Sequence, residues 1–398
     1  MTKIHYAQLF LPILLVLLIP SLSHAQGCVA VRPMGCGGAN ANTGTFLMDK
    51  GDWQVGVLYR YFESYKHFRS DSEQHERVEL GTNVINDANS IDFSLSHAFS
   101  QRLVATATLP FISYARSSLY EHYGNSISAN PQQLRFSTAA KGIGDLRLSA
   151  SYWLLNPTKH LKSNIALGLG LKLPTGNANV MDSFHKRKST DGSDTIIVKA
   201  VDQSIQLGDG GVGFTLDVQG YTVLSKRLSL YVNGFYMSNP RETNNTIQRV
   251  LSASSKLSDT INQFHSVADQ YAFRGGVSYV LWPSKGLVLS LGIRAEGVPA
   301  KDLIGGNLGW RRPGYIISAE PGLSWQTGNL GVNLSVPYSL YRNRIKNVGD
   351  LSDPTGKANG DAAFADYLVN LGVTYRFAKK HKMAEHMPVF KDVAPPKE

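Results

Sequence analysis

Downstream of residue 50 the chain repeats one unit six times: a stretch of about ten residues in apolar/polar alternation, a tight turn, and a second such stretch. The last stretch is the clearest. Tyr367, Val369, Leu371, Val373, Tyr375 and Phe377 hold the odd positions, and Asn370, Gly372, Thr374 and Arg376 lie between them. Successive strand side chains point to opposite faces, so one face meets an apolar medium and the other meets water.

This pattern predicts an all-β fold, an antiparallel transmembrane outer-membrane β-barrel of about 12 strands. The predicted strands cover 52–62, 91–99, 103–113, 145–155, 163–173, 212–223, 228–238, 271–282, 287–296, 315–325, 330–341 and 367–377. Links at 63–89, 114–144, 174–211, 239–270, 297–314 and 342–366 are long and polar, whereas those between them take a few residues. Short turns belong in the periplasm and long loops outside. Trp53, Tyr114, Tyr152, Trp282, Tyr315, Trp325, Tyr338, Tyr367 and Tyr375 gather at strand ends and read as interfacial girdles. A closed sheet pairs every backbone N–H and C=O where no water is available.

Parity along the strands assigns Arg60, Asp92, Arg147, Lys172, Asp217, Arg274, Arg294, Glu296, Glu320 and Arg376 to the lumen, with basic groups in excess. That set suits either a hydrated pore or a crosslinking ion-pair network. Twelve strands lie between the eight of a side-chain-filled barrel and the 16 of an open porin, so a narrow lumen is expected. If it conducts, the basic excess implies weak anion preference.

The N-terminus carries an export address. Lys3, the apolar run Leu9 to Pro20 and the small-x-small site Ser23-His24-Ala25 read as a signal peptide over 1–25. The apolar run is too short for the ~20 residues of a spanning helix. Residues 26–50, rich in Gly, Ala and Asn, are a plug or a periplasmic segment; the barrel covers 51–378, and 379–398 is a polar tail. Cys28 and Cys36 are disulfide candidates in an oxidising compartment.

The formal net charge is +10, and Lys3 is the one charge in 1–25. The remaining Lys and Arg are dispersed apart from His185-Lys186-Arg187-Lys188. Such a chain suits outer-membrane lipid and lipopolysaccharide as surroundings, barrel-assembly machinery during insertion and a small-molecule solute, with no nucleic acid as partner. No catalytic residues, metal ligands or cofactors are expected. His97 with Ser94 or Ser96 is the strand-borne His/Ser cluster, and other histidines, such as His67, His75, His122, His185 and His265, fall in loops without metal-ligand spacing. An adhesion barrel would concentrate exposed aromatics in its loops, which here are rich in Ser, Asn, Asp, Lys and Gly.

Three glycine-rich motifs carry a family resemblance: Gly142-Ile143-Gly144-Asp145-Leu146 with Tyr152-Trp153, Leu169-Gly170-Leu171-Lys172-Leu173-Pro174-Thr175-Gly176, and Leu207-Gly208-Asp209-Gly210-Gly211. With these the chain resembles the outer-membrane transporter family named for the phenol-degradation (MetA) pathway. The resemblance implies a barrel that moves small molecules, aromatic or apolar ones among them, across the outer membrane. By their own chemistry the glycines and Pro174 read as strand ends at the membrane rim, and Asp209 as part of a turn.

Overall fold

The computed structural model describes residues 48–188 and 191–377. The signal peptide, Cys28, Cys36, nearly all of 26–50 and the tail therefore lie outside the described residues. Twelve antiparallel strands form the barrel: β1 Trp53–Arg69, β2 Ile85–Ala98, β3 Leu103–Ser118, β4 Phe136–Ile143 continued by Leu146–Trp153, β5 Ser163–Leu173, β6 Gly213–Val223, β7 Leu228–Ser238, β8 Gln270–Trp282, β9 Leu287–Val298, β10 Gly314–Thr327, β11 Leu330–Ser335 continued by Tyr338–Arg344, and β12 Ala362–Ala365 continued by Val369–Phe377. Each strand pairs with its sequence neighbours. The sheet closes where β1 meets β12, from Trp53 opposite Phe377 to Tyr61 opposite Val369. Closure leaves no sheet edge.

The alternation has the expected cause. Leu169, Leu216 and Leu291 are 69%, 59% and 56% exposed, whereas Lys172, Arg294 and Glu320, from the intervening positions of these and neighbouring strands, are 3% or less. Leucines that open to solvent on a closed barrel are the lipid face.

Several walls rise further than the apolar pattern predicts. β1 continues to Arg69, β2 begins at Ile85, β3 runs to Ser118, and β4 begins at Phe136. Beyond the lipid band both faces of these strands turn polar, as in Ser64, Lys66, Asn86, Asp87 and Arg116, so the contrast that reveals a half-buried strand disappears. The expected girdle needs one correction: Tyr114 is inward and 6% exposed, because β3 buries its even positions through Ile112, Tyr114, Arg116 and Ser118.

The largest departure concerns the link after β5. Within it Met181–Arg187 pairs with Asp194–Ala200 as a hairpin, and the chain then turns inward. Val201, Ile205 and Leu207 pack with Phe62, Ile112, Tyr114 and Ala140 of the wall in one apolar cluster. A connection that reads as external thus contributes a segment to the interior.

Candidate functional site

The inward segment, residues 201–211, is held at both ends. At its start Asp202 accepts two parallel hydrogen bonds from Arg312, Nη1 to Oδ1 at 2.7 Å and Nη2 to Oδ2 at 2.6 Å. Arg116 of β3 approaches the same carboxylate at 3.6 Å and pairs with Glu121 at 3.0 Å. Burial alone would push the Asp202 carboxyl up, but the Arg116 and Arg312 guanidiniums outweigh it and hold it well below the usual carboxylate range. The forked guanidinium fixes direction as well as charge.

At its end the segment docks on the interruption between the two halves of β4. Asp145, at that break, accepts from the Gly176 N–H at 3.0 Å and from the Asp209 N–H at 3.2 Å. Thr175 Oγ1 accepts from the Leu146 N–H at 2.8 Å and donates to the Gly144 carbonyl at 2.9 Å. Lys172 pairs with Asp209, whose other oxygen accepts from the Gly211 N–H at 2.9 Å. The approach requires glycine at two places. A Cβ on Gly176 would lie 2.7 Å from the Leu207 carbonyl oxygen, and one on Gly208 would lie 2.7 Å from that of Gly176. The three glycine-rich motifs, which separately read as strand ends, are thus one assembly that seats the segment inside the barrel.

The wall carries a second network. Glu296 bonds to Arg294 at 2.7 Å and faces Arg60 at 3.9 Å; Glu320 faces Arg274 at 3.2 Å and Arg294 at 4.0 Å. Near the short turns Arg376 approaches Asp52 at 4.0 Å. Asp92 is 5% exposed on β2. Arg147 and Lys172, with Arg311, Tyr114, Gln203 and Gln270, line a cavity of about 110 Å³ beside the segment. Asp217, 6% exposed on β6, has no hydrogen-bond partner on either carboxylate oxygen.

Parity reasoning assigned to the lumen Arg60, Asp92, Arg147, Lys172, Asp217, Arg294, Glu296 and Glu320, which are buried, and Arg274 and Arg376, which are half-buried. It missed Arg116, Asp202, Asp302, Arg311, Arg312 and Arg344, which come from strand extensions or loops. Arg311 and Asp302 form a second fork at 2.7 and 2.6 Å, and Arg344 pairs with Asp350 at 2.9 Å. Arg116 alone was recoverable, since the even-position parity of β3 continues to it.

The His/Ser cluster does not assemble. His97 packs outside the barrel against Trp53, ring centroids 4.2 Å apart and planes tilted by 33°, whereas the Ser96 hydroxyl lies inside, 2.8 Å from that of Thr106. Opposite faces of one sheet separate the pair.

No protein-family model and no curated protein matches the sequence. Among solved structures the chain is similar to the COG4313 outer membrane channel from Pseudomonas putida F1, at 14% identity over 87% of this chain and 100% of that one, with a TM-score of 0.53. The likeness shows a shared fold. The chain is an outer-membrane-type β-barrel. Two further barrels align at lower scores: the CymD monoaromatic hydrocarbon channel, 11% identical over 90% of this chain and 99% of that one (TM-score 0.43), and the Pseudomonas putida toluene transporter TodX, 10% identical over 88% and 100% (TM-score 0.39).

Proposed function

We propose that this barrel is an outer-membrane channel for small solutes, in which the inward segment 201–211 forms the constriction. The observation that carries the reading is the seating of that segment: a buried Arg–Asp fork at one end and a glycine assembly at the other. The solutes favoured are small and polar, with anions ahead of cations along the wall, because Arg60, Arg147, Lys172, Arg274, Arg294 and Arg376 outnumber Asp92, Asp217, Glu296 and Glu320 there. Beside the segment, by contrast, Arg116, Arg147, Lys172, Arg311 and Arg312 are matched by Glu121, Asp145, Asp202, Asp209 and Asp302. Small neutral aromatic molecules, the class implied by the family resemblance, would have to pass the same guanidiniums by stacking on them.

The test is planar-bilayer conductance of the folded mature protein in a potassium chloride gradient. Discrete conductance with a reversal potential on the chloride side is expected. Silence in the intact protein and in a form lacking 201–207 would overturn the channel reading, and a cation-side reversal potential would overturn the anion preference read from the wall.

A further inference from the structure

We infer that Asp217 and Phe235 form a binding subsite for a small organic ammonium ion in the barrel wall. The lumen carboxylates Asp202, Glu296 and Glu320 each sit within 4.0 Å of an arginine. Asp217 differs. Its two carboxylate oxygens are buried without a hydrogen-bond partner, and the side chain is 94% shielded, at 6% exposure. A buried carboxylate without a counter-charge is costly, and a charge in a barrel interior persists where it meets a partner or a ligand.

Its surroundings define the chemistry of that ligand. Asp217 lies directly opposite Phe235 of β7 on one side and Gly168 of β5 on the other, and Gly168 lies opposite Ser151 of β4. Directly opposite residues share a face with Cβ atoms about 5 Å apart, so Phe235, which packs with Met237 and Ala272, is the aromatic neighbour of Asp217 on that face. Gly168 leaves the far side short: an added Cβ would stand 3.1 Å from that of Asp217. Along β6 the same face carries Thr215, whose buried hydroxyl has no partner, and Gln219, which donates to Ser151 at 3.3 Å. A carboxylate beside an aromatic face, with a free hydroxyl above and no competing arginine or lysine contact, is the donor set that recognises an alkylammonium group by ion pairing and cation–π attraction. A bare metal ion would find a single carboxylate, too few oxygens for a calcium or magnesium site.

The inference goes beyond the channel reading and does not require it, since a closed barrel could bind the same ion. Its test is therefore binding: isothermal titration of the detergent-folded full-length protein with methylammonium chloride, against sodium chloride at equal ionic strength. Saturable methylammonium binding is expected, with at least a tenfold loss of affinity in Asp217→Asn and none in Asp92→Asn. Phe235→Leu should weaken tetramethylammonium more than sodium. In the intact protein, methylammonium should also shift a carboxylate band in the infrared difference spectrum, a readout that stands even if a variant folds poorly. Absence of methylammonium binding by the intact protein, or equal affinity in Asp217→Asn, overturns the subsite. Equal response to sodium and methylammonium overturns the role of Phe235.

Discussion

Toward the long loops, the barrel interior is occupied by chain and charge: Val201, Ile205 and Leu207 fill it, and Arg116, Asp202, Arg311 and Arg312 are buried in forks. Toward the short turns, the same wall presents Ser96, Thr106, Ser229, Ser290, Ser324 and Thr374, with Gly56 so close to Ser94 that a Cβ would lie 2.5 Å from its hydroxyl. Both regions share one circumference, because the same twelve strands enclose them. The turn-side half is occupied by wall side chains of its own, among them Tyr221, Tyr231 and the small clusters of Met48, Ala98 and Val104 and of Val280 and Val288, while the loop-side half is closed by an inserted segment. On the proposed channel reading, the difference places resistance to passage in a part of the chain that contributes no membrane-spanning strand.

The strongest way to break this contrast is to make the two halves alike. Replacing 201–207 by a short Gly-Ser link should raise single-channel conductance several-fold and leave the folded barrel's gel mobility intact. Unchanged conductance would show that the narrowest point lies elsewhere. Next in size is the fork. Asp202→Ala removes the carboxylate that the buried Arg312 forks, while Arg116 keeps Glu121, a change that costs about 3–5 kcal/mol where a buried pair is broken. Denaturant unfolding in detergent should show the loss. Asp202→Leu combined with Arg312→Met should cost less than the two single changes added together.

These predictions bear on what the sequence could disclose. The strands were legible because lipid on one face and a polar interior on the other impose a period of two, and Tyr367 to Phe377 shows it residue by residue. The same parity is what assigns the wall charges to one face. The segment 201–211 was not legible, because Val201, Ile205 and Leu207 are three apolar residues in a polar link and match neither a strand nor a helix period. Its partners are scattered as well. Arg312 lies 110 residues from Asp202, and the Asp145 bond to Gly176 spans 31. The surviving signal was the recurrence of glycine beside aspartate at Gly144-Asp145 and Gly208-Asp209. Its meaning as a single docking surface needed three dimensions.

A smaller effect separates the outer loops from the fork by pH. His122 packs against Phe184 with ring centroids 5.3 Å apart, and its Nδ1 accepts the His185 N–H at 3.1 Å, which fixes the neutral ring. Burial, against the pull of Glu121, lowers its pKa from 6.5 to about 4. The unfolded loop therefore binds a proton that the folded loop refuses. The stability linked to His122 is complete above 6.5 and declines as pH falls from there toward 4. Asp202 has the opposite charge type but the same sign of linkage. Its stabilisation is present above the ordinary carboxylate value and is lost only as pH falls through its own depressed pKa. Lowering the pH from 7 to 5 should thus speed hydrogen exchange in Met181–Arg187, after correction for intrinsic rates, while the fork-anchored residues 201–205 stay protected.

The smallest expected effect lies in the turn-side half. Ser229 and Ser324 are inward on β7 and β10, toward the short turns. If water fills the space between the walls, it satisfies those hydroxyls, and their removal leaves no orphaned partner. Ser229→Ala and Ser324→Ala should each change unfolding free energy by no more than about 0.5 kcal/mol, the range of substitutions away from packed or paired groups. Conductance should be unchanged. A cost well above that, or a fall in conductance, would mean that the hydroxyls bond to protein across the lumen. The turn-side half would then be as closed as the loop-side half, and the constriction would extend through the barrel instead of residing in the inserted segment.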